Sequence, residues 1–276
     1  MTPALGSDRP LNQLTIPAGL SFLAPSVIEG LIRVGKLNDG GYVLPAASVD
    51  EADFLISLGI SDDWSFETHF RQLYPRVQIH AYDHTVSQQA LWASMIRGLL
   101  KMPIGMTSYE NFSQRYTLLV SYNNFFAGTV QHFKERVTCE PRLAYDVTME
   151  KVFKRASSSR LFLKIDIEGS EYEIVDDLVK HSDNVVALVI EFHNTGLLLP
   201  AFVNAMKALQ ERYEVVHLHA NNFGSIGPDN LPEALEVTFV RKSGRTSQIK
   251  KTNLPIPVLD YPNNPKKLDY QIQFTF

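Results

Sequence analysis

Short apolar runs alternate with helix-like segments along most of the chain, and this alternation restricts the fold more than any other feature of the sequence. The run at 185–191 is apolar almost throughout, which is typical of a strand buried on both faces of a parallel sheet. The alternation predicts a doubly wound α/β sheet with right-handed parallel crossovers. The predicted strands are 54–59, 77–82, 161–166, 185–191, 213–219 and 236–240, and the main predicted helices are 61–73, 86–100, 148–155 and 200–212.

Composition narrows the class of protein. The 276 residues are 45% hydrophobic and 20% charged, which excludes a chain that is disordered throughout. A net charge of −4 gives no basic excess for nonspecific attraction of nucleic acid, and no apolar run is long enough for a membrane span. The single cysteine, Cys139, cannot form an intrachain disulfide, and residues 1–14 lack a signal-peptide pattern. We expect a cytoplasmic protein without nucleic-acid or membrane partners; the sequence does not predict its oligomeric state.

Three segments are predicted along the chain. Residues 1–45 form an N-terminal extension, 46–244 form the α/β domain, and 245–276 form a proline-rich tail. Too many prolines interrupt the tail for regular structure, so we expect it to wrap the surface or cover a sheet edge. These prolines are Pro255, Pro257, Pro262 and Pro265.

The turn after the first predicted strand, at 59–63, restricts the cofactor. It lacks the G-x-G-x-x-G pattern and carries Asp62 and Asp63, whose charges would repel a pyrophosphate. This disfavours dinucleotides and nucleoside triphosphates, and it is compatible with a cofactor that has ribose and adenine but no phosphate. Asp83 ends the second strand, where its two oxygens could accept from both ribose hydroxyls. It could equally be a carboxylate that only begins a turn.

A second turn with carboxylates follows the strand at 161–166. Asp166 follows an apolar strand and is expected to be partly buried, with a perturbed pKa. Glu168 lies in the turn, and Ser170 with Glu173 has the spacing of a capping box for the next helix. Alternatively, Asp166 and Glu168 only order this turn and favour the helix N-terminus.

Histidines follow two neighbouring strands near these carboxylates. Glu191 and His193 share one side of their strand, and His219 ends the next. A carboxylate with imidazoles could bind a divalent metal, or could form a general base with its orienting partner. A single histidine is more often a satisfied core or rim imidazole. The candidate metal ligands are Asp166, Glu191, His193 and His219.

The segment LKIDIEGSE at 163–171 resembles the K-x-D-x-E-G-x-E signature of the FkbM family of S-adenosylmethionine-dependent methyltransferases. Segments 33–43, 57–67 and 217–223 also resemble a branch of this family. The resemblance implies a Rossmann-like class I methyltransferase fold, with a seven-stranded sheet and an antiparallel last pair. It implies S-adenosylmethionine as methyl donor and mostly O-methylation of hydroxyls on sugars or natural products.

By motif position, the resemblance places Gly59 and Ser61 at the methionine end of the cofactor and Asp83 at the ribose. Asp166 and Glu168 would lie near the reacting methyl group. Ser57 stands where the family carries an acidic residue, so Asp62 or Asp63 could contact the methionine ammonium instead.

The sequence therefore predicts an O-methyltransferase with a small-molecule or carbohydrate acceptor. His193 is the predicted base, oriented by Asp166 or Glu191, with Glu168 as a further catalytic residue. In the metal variant, Asp166, Glu191 and His193, with His219 as a further candidate, hold Mg²⁺ or a similar ion. Two alternatives stay open: a metal-dependent hydrolase or oxygenase, and a non-catalytic binding module of methyltransferase fold.

Overall fold

The computed structural model describes residues 12–101, 108–227, 230–242, 249–251 and 253–276. Its strands are β1 (Gln13–Ile16), β2 (Leu31–Val34), β3 (Tyr42–Pro45), β4 (Phe54–Leu58), β5 (Gln78–Tyr82), β6 (Val130–Phe133), β7 (Arg136–Val137), β8 (Asp146–Val147), β9 (Leu161–Ile165), β10 (Val185–His193), β11 (Tyr213–Ala220), β12 (Ala234–Arg241), β13 (Asn253–Leu254) and β14 (Gln271–Phe274). Its α-helices are α1 (Ala46–Glu51), α2 (Ser65–Leu73), α3 (Gln88–Lys101), α4 (Tyr109–Phe125), α5 (Met149–Arg155), α6 (Val175–Lys180) and α7 (Leu199–Arg212). Short 3₁₀ helices span Ala18–Leu23, Glu171–Ile174 and Ser182–Asn184.

Seven strands form one central sheet in the order β6-β5-β4-β9-β10-β12-β11. Neighbours from β6 to β10 are parallel, and β12 runs antiparallel to both β10 and β11. Helices follow most of the parallel strands along the chain, as in a doubly wound fold. The predicted α/β sheet of seven strands with an antiparallel last pair is confirmed.

The register of the parallel strands brings their carboxyl ends to one level. Leu58 pairs with both Tyr82 and Ile165, and Ile165 pairs with Ile190. The residues that follow these four therefore meet at one edge of the sheet, where ligands of such folds bind. They are Gly59, Asp83, Asp166 and Glu191.

The six predicted strands are present, but the seventh, β6, was missed. It is a four-residue edge strand in which buried Val130 is followed by exposed Gln131, and it is too short to show a pattern. The preceding helix, α4, was also missed because its aromatic residues do not share one face. Tyr122 is buried, whereas Tyr109 and Tyr116 are exposed.

Two helix starts can be compared with the sequence. The helix predicted from residue 148 is capped by Thr148, whose side chain accepts a hydrogen bond from the amide of Lys151. The capping box is wrong, since the Ser170 side chain makes no capping hydrogen bond. The Glu173 carboxylate instead accepts from the Thr138 hydroxyl at 3.3 Å. The chain therefore enters a 3₁₀ turn before α6 begins.

The two ends of the described chain pair with each other. Strand β1 is parallel to β14, and β13 is antiparallel to β14. The tail thus has regular structure, contrary to expectation, because its four prolines lie between β13 and β14 and not within them. Ile16 and Phe274 are both buried in the same core as β9 and β10. The predicted segment boundaries at 45 and 245 stay a prediction.

Two phenylalanines of the tail provide a matched test of its contribution to stability. Phe274 is 4% exposed, whereas Phe276 is 69% exposed. We expect Phe274→Ala to lower the free energy of unfolding by about 3–5 kcal/mol, because it leaves a cavity in the core. Phe276→Ala should change it by less than about 0.5 kcal/mol. Urea unfolding of both variants measures this, and a loss for Phe274→Ala as small as that expected for Phe276→Ala would show that Phe274 does not stabilise the core.

Candidate active site

The turn after β4 requires glycine at its first position. Gly59 has φ +75°, and a Cβ there would lie 1.7 Å from the backbone oxygen of Asp166. The turn therefore passes directly over the end of β9. Ser61 also has a positive φ and stays in the turn, so the helix expected from residue 61 begins only at Ser65.

Asp83 holds this turn in place. One carboxylate oxygen accepts from the amides of Ile60 at 3.0 Å and Ser61 at 2.7 Å. The other accepts from the amide and the hydroxyl of Thr85 at 2.6 and 2.5 Å. Burial raises the pKa of Asp83, but these hydrogen bonds together lower it by more, so the net shift is downward. Because both oxygens already accept two hydrogen bonds, a ribose would have to replace one of them.

A cavity of about 430 Å³ opens above the ends of β4, β5 and β9. This volume suits a small organic ligand or cofactor. The structure brings all the predicted cofactor-binding residues together along its wall: Gly59, Ser61, Asp62, Asp83 and Asp166. Toward β5 and β6 the wall also contains His84, Arg136 and Val137, which the sequence did not identify. Arg136 and Val137 form β7, which is too short to show a pattern.

Ser57 stands where the resembled family carries an acidic residue, and the carboxylate of Glu67 lies beside it. Glu67 of α2 is 1% exposed and accepts a hydrogen bond from the Ser57 hydroxyl. Burial raises its pKa, while the Lys164 charge opposes that shift. Sequence reasoning missed Glu67. Its signal, a charged residue beside Phe66 on the buried side of a helix, is recognisable once the helix has been placed.

Lys164 joins the two turns of the site. Its buried ammonium donates to the backbone oxygen of Gly59 and to the Asp166 carboxylate, the latter at 3.4 Å. Burial lowers the pKa of Lys164, but the charges of Asp166 and Glu67 raise it more. This residue was also missed, although a lysine inside the apolar run of β9 was a signal in the sequence.

His193 lies at the centre of four carboxylates. Its Nδ1 is 2.9 Å from Oε1 of buried Glu171. The orienting residue is therefore Glu171, and the prediction of Asp166 or Glu191 is wrong. Its Nε2 lies 3.6 Å from Glu168 Oε2, 3.7 Å from Glu191 Oε1 and 4.0 Å from Asp166 Oδ1. Ligand-capable atoms of Asp166, Glu168 and His193 all lie within 4.8 Å of one another. We name these four residues, Asp166, Glu168, Glu191 and His193, the His193 cluster.

The accumulated negative charge changes the protonation of this cluster. Burial lowers the pKa of His193, but the Glu171 hydrogen bond and the charges of Glu191 and Asp166 raise it to about 9. Burial and the charge of Asp166 raise the pKa of Glu191 well above its ordinary value. The site therefore favours bound positive charge.

Two further side chains contact the carboxylates of Asp166 and Glu191. The Tyr42 hydroxyl lies 3.4 Å from Asp166 Oδ2 and 3.3 Å from Glu191 Oε2. The Asn221 amide donates to Glu191 Oε1 at 2.8 Å. Tyr42 begins β3 and Asn221 follows β11, so distant parts of the chain contribute to one cluster.

A second cavity, of about 480 Å³, lies on the other side of the cluster. Asp39, Asp166 and Glu168 line both cavities, and His193 and Glu191 line the second alone. The two cavities therefore meet at the carboxylates that follow β9.

His219 is not part of this cluster. Its Nδ1 lies 3.2 Å from Glu236 and its Nε2 3.1 Å from Asp269, so both ring nitrogens are engaged. The predicted set of four metal ligands is thus not assembled as proposed, because the β11 side chain contacts β12 and the tail instead. His219 connects the sheet to the segment before β14.

Comparison with known proteins gives distant structural matches. No family model matches the sequence, and no curated protein matches it. Similar solved structures include the fibrillarin/Nop5p complex, with 9% identity, TM-score 0.37, and coverage of 70% of this chain and 74% of that one. Precorrin-6y C5,15-methyltransferase from Geobacter metallireducens GS-15 has 12% identity, TM-score 0.36 and coverage of 71% and 87%. 23S rRNA methyltransferase ErmE has 9% identity, TM-score 0.36 and coverage of 75% and 69%.

The fold is that of the class I methyltransferases. The strand order and the antiparallel β12 carry this assignment. Identities this low concern the fold alone, so the FkbM family itself is not established.

The expected partners need correction. The sequence was interpreted as having a small-molecule or carbohydrate acceptor and no nucleic acid. That interpretation is wrong as an exclusion, because the similar structures include an rRNA methyltransferase and a protein in complex with Nop5p. Net charge bears on nonspecific phosphate attraction and does not exclude recognition at a local site.

Among the helices within the described residues, none combines the length and the apolar character that a membrane span requires.

The buried pairs of His219 predict a pH dependence of stability. Burial lowers its pKa, but the hydrogen bonds to Asp269 and Glu236 raise it from the ordinary 6.5 to about 10. The folded protein therefore keeps a proton that the unfolded chain releases, so this stabilisation is complete below pH 6.5 and is lost as the pH approaches 10. We expect the stability difference between wild type and His219→Gln to shrink over this interval. Urea unfolding across the pH range measures it, and a constant difference would contradict a charged His219.

Proposed function

We propose that this protein is an S-adenosylmethionine-dependent methyltransferase that transfers a methyl group to a hydroxyl oxygen. One observation carries the proposal: in a sheet of methyltransferase topology, two cavities meet at Asp166 and Glu168, beyond the carboxyl ends of the strands. A donor in the first cavity and an acceptor in the second would face each other across these carboxylates.

The first cavity has the charge that this cofactor needs. S-adenosylmethionine carries a sulfonium and an ammonium, supplies its sulfonium methyl group when bound, and has no phosphate. Glu67 and Asp166 place negative charge along the β4 and β9 side of the cavity. We propose Glu67 as the partner of the ammonium, since Asp63 is already paired with Lys36 at 2.8 Å and Asp62 is exposed.

The other end of the cavity is suited to the adenosine. His84, Arg136 and Val137 lie toward β5 and β6. Asp83 would act there mainly by holding the amides of the turn, with contact to a ribose hydroxyl as the further proposal. Gly59 and Ser61 would let the backbone approach the cofactor closely.

Methyl transfer from a sulfonium is an in-line displacement that depends on positioning. The carbon–sulfur bond breaks as the carbon–oxygen bond forms, and the hydroxyl proton must leave. We propose that Asp166 and Glu168 flank the acceptor oxygen. If the cluster holds no cation, the neutral form of His193, oriented by Glu171, is the group that would accept the proton, and its pKa of about 9 makes this the minor form at neutral pH. The cytoplasmic location also stays a prediction.

Cofactor binding can be tested by calorimetric titration with S-adenosylmethionine, S-adenosylhomocysteine and methylthioadenosine. Glu67→Gln removes a charge and preserves size, and Glu211→Gln is the matched change on the exposed end of α7. We expect Glu67→Gln to weaken the first two ligands about tenfold or more, which is the loss typical of a charge-assisted hydrogen bond. Methylthioadenosine, which lacks the amino acid, should bind both variants as it binds wild type.

The outcomes separate the alternatives. No binding of any of the three ligands to folded wild-type protein would overturn the cofactor assignment and favour the hydrolase, oxygenase or non-catalytic alternatives. An equal loss for methylthioadenosine in Glu67→Gln would contradict the ammonium contact while leaving the cofactor assignment in place. Transfer of a ¹³C-labelled methyl group, followed by NMR of the product, distinguishes an O-methyl from an N-methyl group.

A further inference from the structure

We infer that the His193 cluster binds one divalent cation, and that His193 is a ligand of this cation and not the base. The cation site is inferred from the geometry of the cluster and does not depend on the proposed function. The use of the cation in activating the acceptor hydroxyl rests on the proposed methyltransferase function.

The spacing of the cluster fits ligands around one shared ion better than it fits hydrogen bonds between the side chains. The three distances from His193 Nε2 to carboxylate oxygens, 3.6, 3.7 and 4.0 Å, all exceed a hydrogen bond. Ligands at about 2.0–2.2 Å from a shared cation lie about 3–4 Å from one another. His193 Nε2 therefore has about the separation from the three carboxylate oxygens that ligands of one cation have, and ligand atoms of Asp166, Glu168 and His193 also lie within 4.8 Å of one another.

Glu171 gives His193 the orientation of a metal ligand. Its Oε1 is 2.9 Å from Nδ1, which leaves Nε2 directed at the other three members of the cluster. The same oxygen accepts from the amides of Ile167 at 3.2 Å and Gly169 at 3.1 Å, so the turn that carries Glu168 is held by the same carboxylate. A carboxylate on the far nitrogen of a ligating histidine is the usual arrangement in metal sites.

Carboxylates outnumber lysine and arginine side chains around the cluster, where the described residues place Lys164 beside Asp166. Asp166, Glu168 and Glu191 converge on one imidazole, and Asp39 adds charge at the boundary of the two cavities. The Lys164 ammonium contacts Oδ2 of Asp166, whereas Oδ1 is the Asp166 oxygen that faces His193. A divalent cation would supply the charge that this side of the cluster lacks.

Three carboxylates with one imidazole favour a cation that accepts oxygen ligands and tolerates nitrogen. Mn²⁺ meets both conditions and serves as the probe. At the junction of the two cavities the cation would hold the acceptor oxygen and lower the pKa of its hydroxyl. The released proton would pass to solvent on the side of Glu168, whose side chain is 85% exposed.

The test is titration of chelator-treated protein with Mn²⁺, followed by the electron paramagnetic resonance signal of the free ion. Glu168→Gln removes an exposed ligand without disturbing the core, and Glu140→Gln, also at an exposed carboxylate, is its control. We expect one equivalent of Mn²⁺ to bind wild type and Glu140→Gln, and Glu168→Gln to bind about tenfold more weakly. Glu171→Gln, the positioning residue, should weaken binding about 10–100-fold. Electron spin-echo spectroscopy should detect an imidazole nitrogen on the bound ion, lost in His193→Gln.

Each result decides the inference. Absence of Mn²⁺ binding at millimolar concentration to folded wild type overturns it and returns His193 to the role of base. Binding that Glu168→Gln and Glu171→Gln leave unchanged, or that shows no imidazole nitrogen, overturns it equally. Binding with the expected losses supports it even if S-adenosylhomocysteine does not bind. In that case the cation site stands and the proposed methyl transfer fails.

Discussion

The buried ammonium of Lys164 is the interaction on which the rest of the site depends. It sits inside β9 and bonds to the backbone oxygen of Gly59 on one side and to the Asp166 carboxylate on the other. The turn over the first cavity and the cluster at the second are thereby fixed to the same strand. A buried charge of this kind is stable only with its partners, and removing one partner typically costs about 3–5 kcal/mol. Lys164 therefore connects Gly59 to Asp166, in addition to the pairing of their strands in the sheet.

Much of the fold could be predicted from the sequence, because in a parallel sheet the apolar run that identifies a strand also shows where its carboxyl end lies. A run apolar on both faces indicates a central strand, and the first polar residue after it lies at the ligand-binding edge. This argument located Asp83, Asp166 and Glu191, which the register does bring to one level. The short edge strand β6 shows the limit, since four residues with one exposed side chain give no distinguishable period.

The partners of these residues could not be predicted in the same way. Glu171 belongs to the 163–171 signature, yet its contact with His193 depends on a 3₁₀ turn where the sequence indicated a capped helix. His219 shares the strand-end position of the other candidates, but its partner Asp269 lies 50 residues away in a tail expected to be irregular. In both cases the deciding contact is tertiary, so no local pattern in the sequence contains it.

Asp166 and Glu191 each face His193 and also contact side chains that support them. Asp166 turns Oδ2 toward Lys164 and Tyr42 and Oδ1 toward His193. Glu191 turns Oε2 toward Tyr42, and its Oε1 accepts from Asn221 while also facing His193. Tyr42 supports both carboxylates from a segment outside the central sheet, within the predicted N-terminal extension. Asp39 and Gly40 of the same segment line the first cavity. The α/β domain from residue 46 onward would therefore lack both this part of the cavity wall and the hydroxyl beside the two carboxylates.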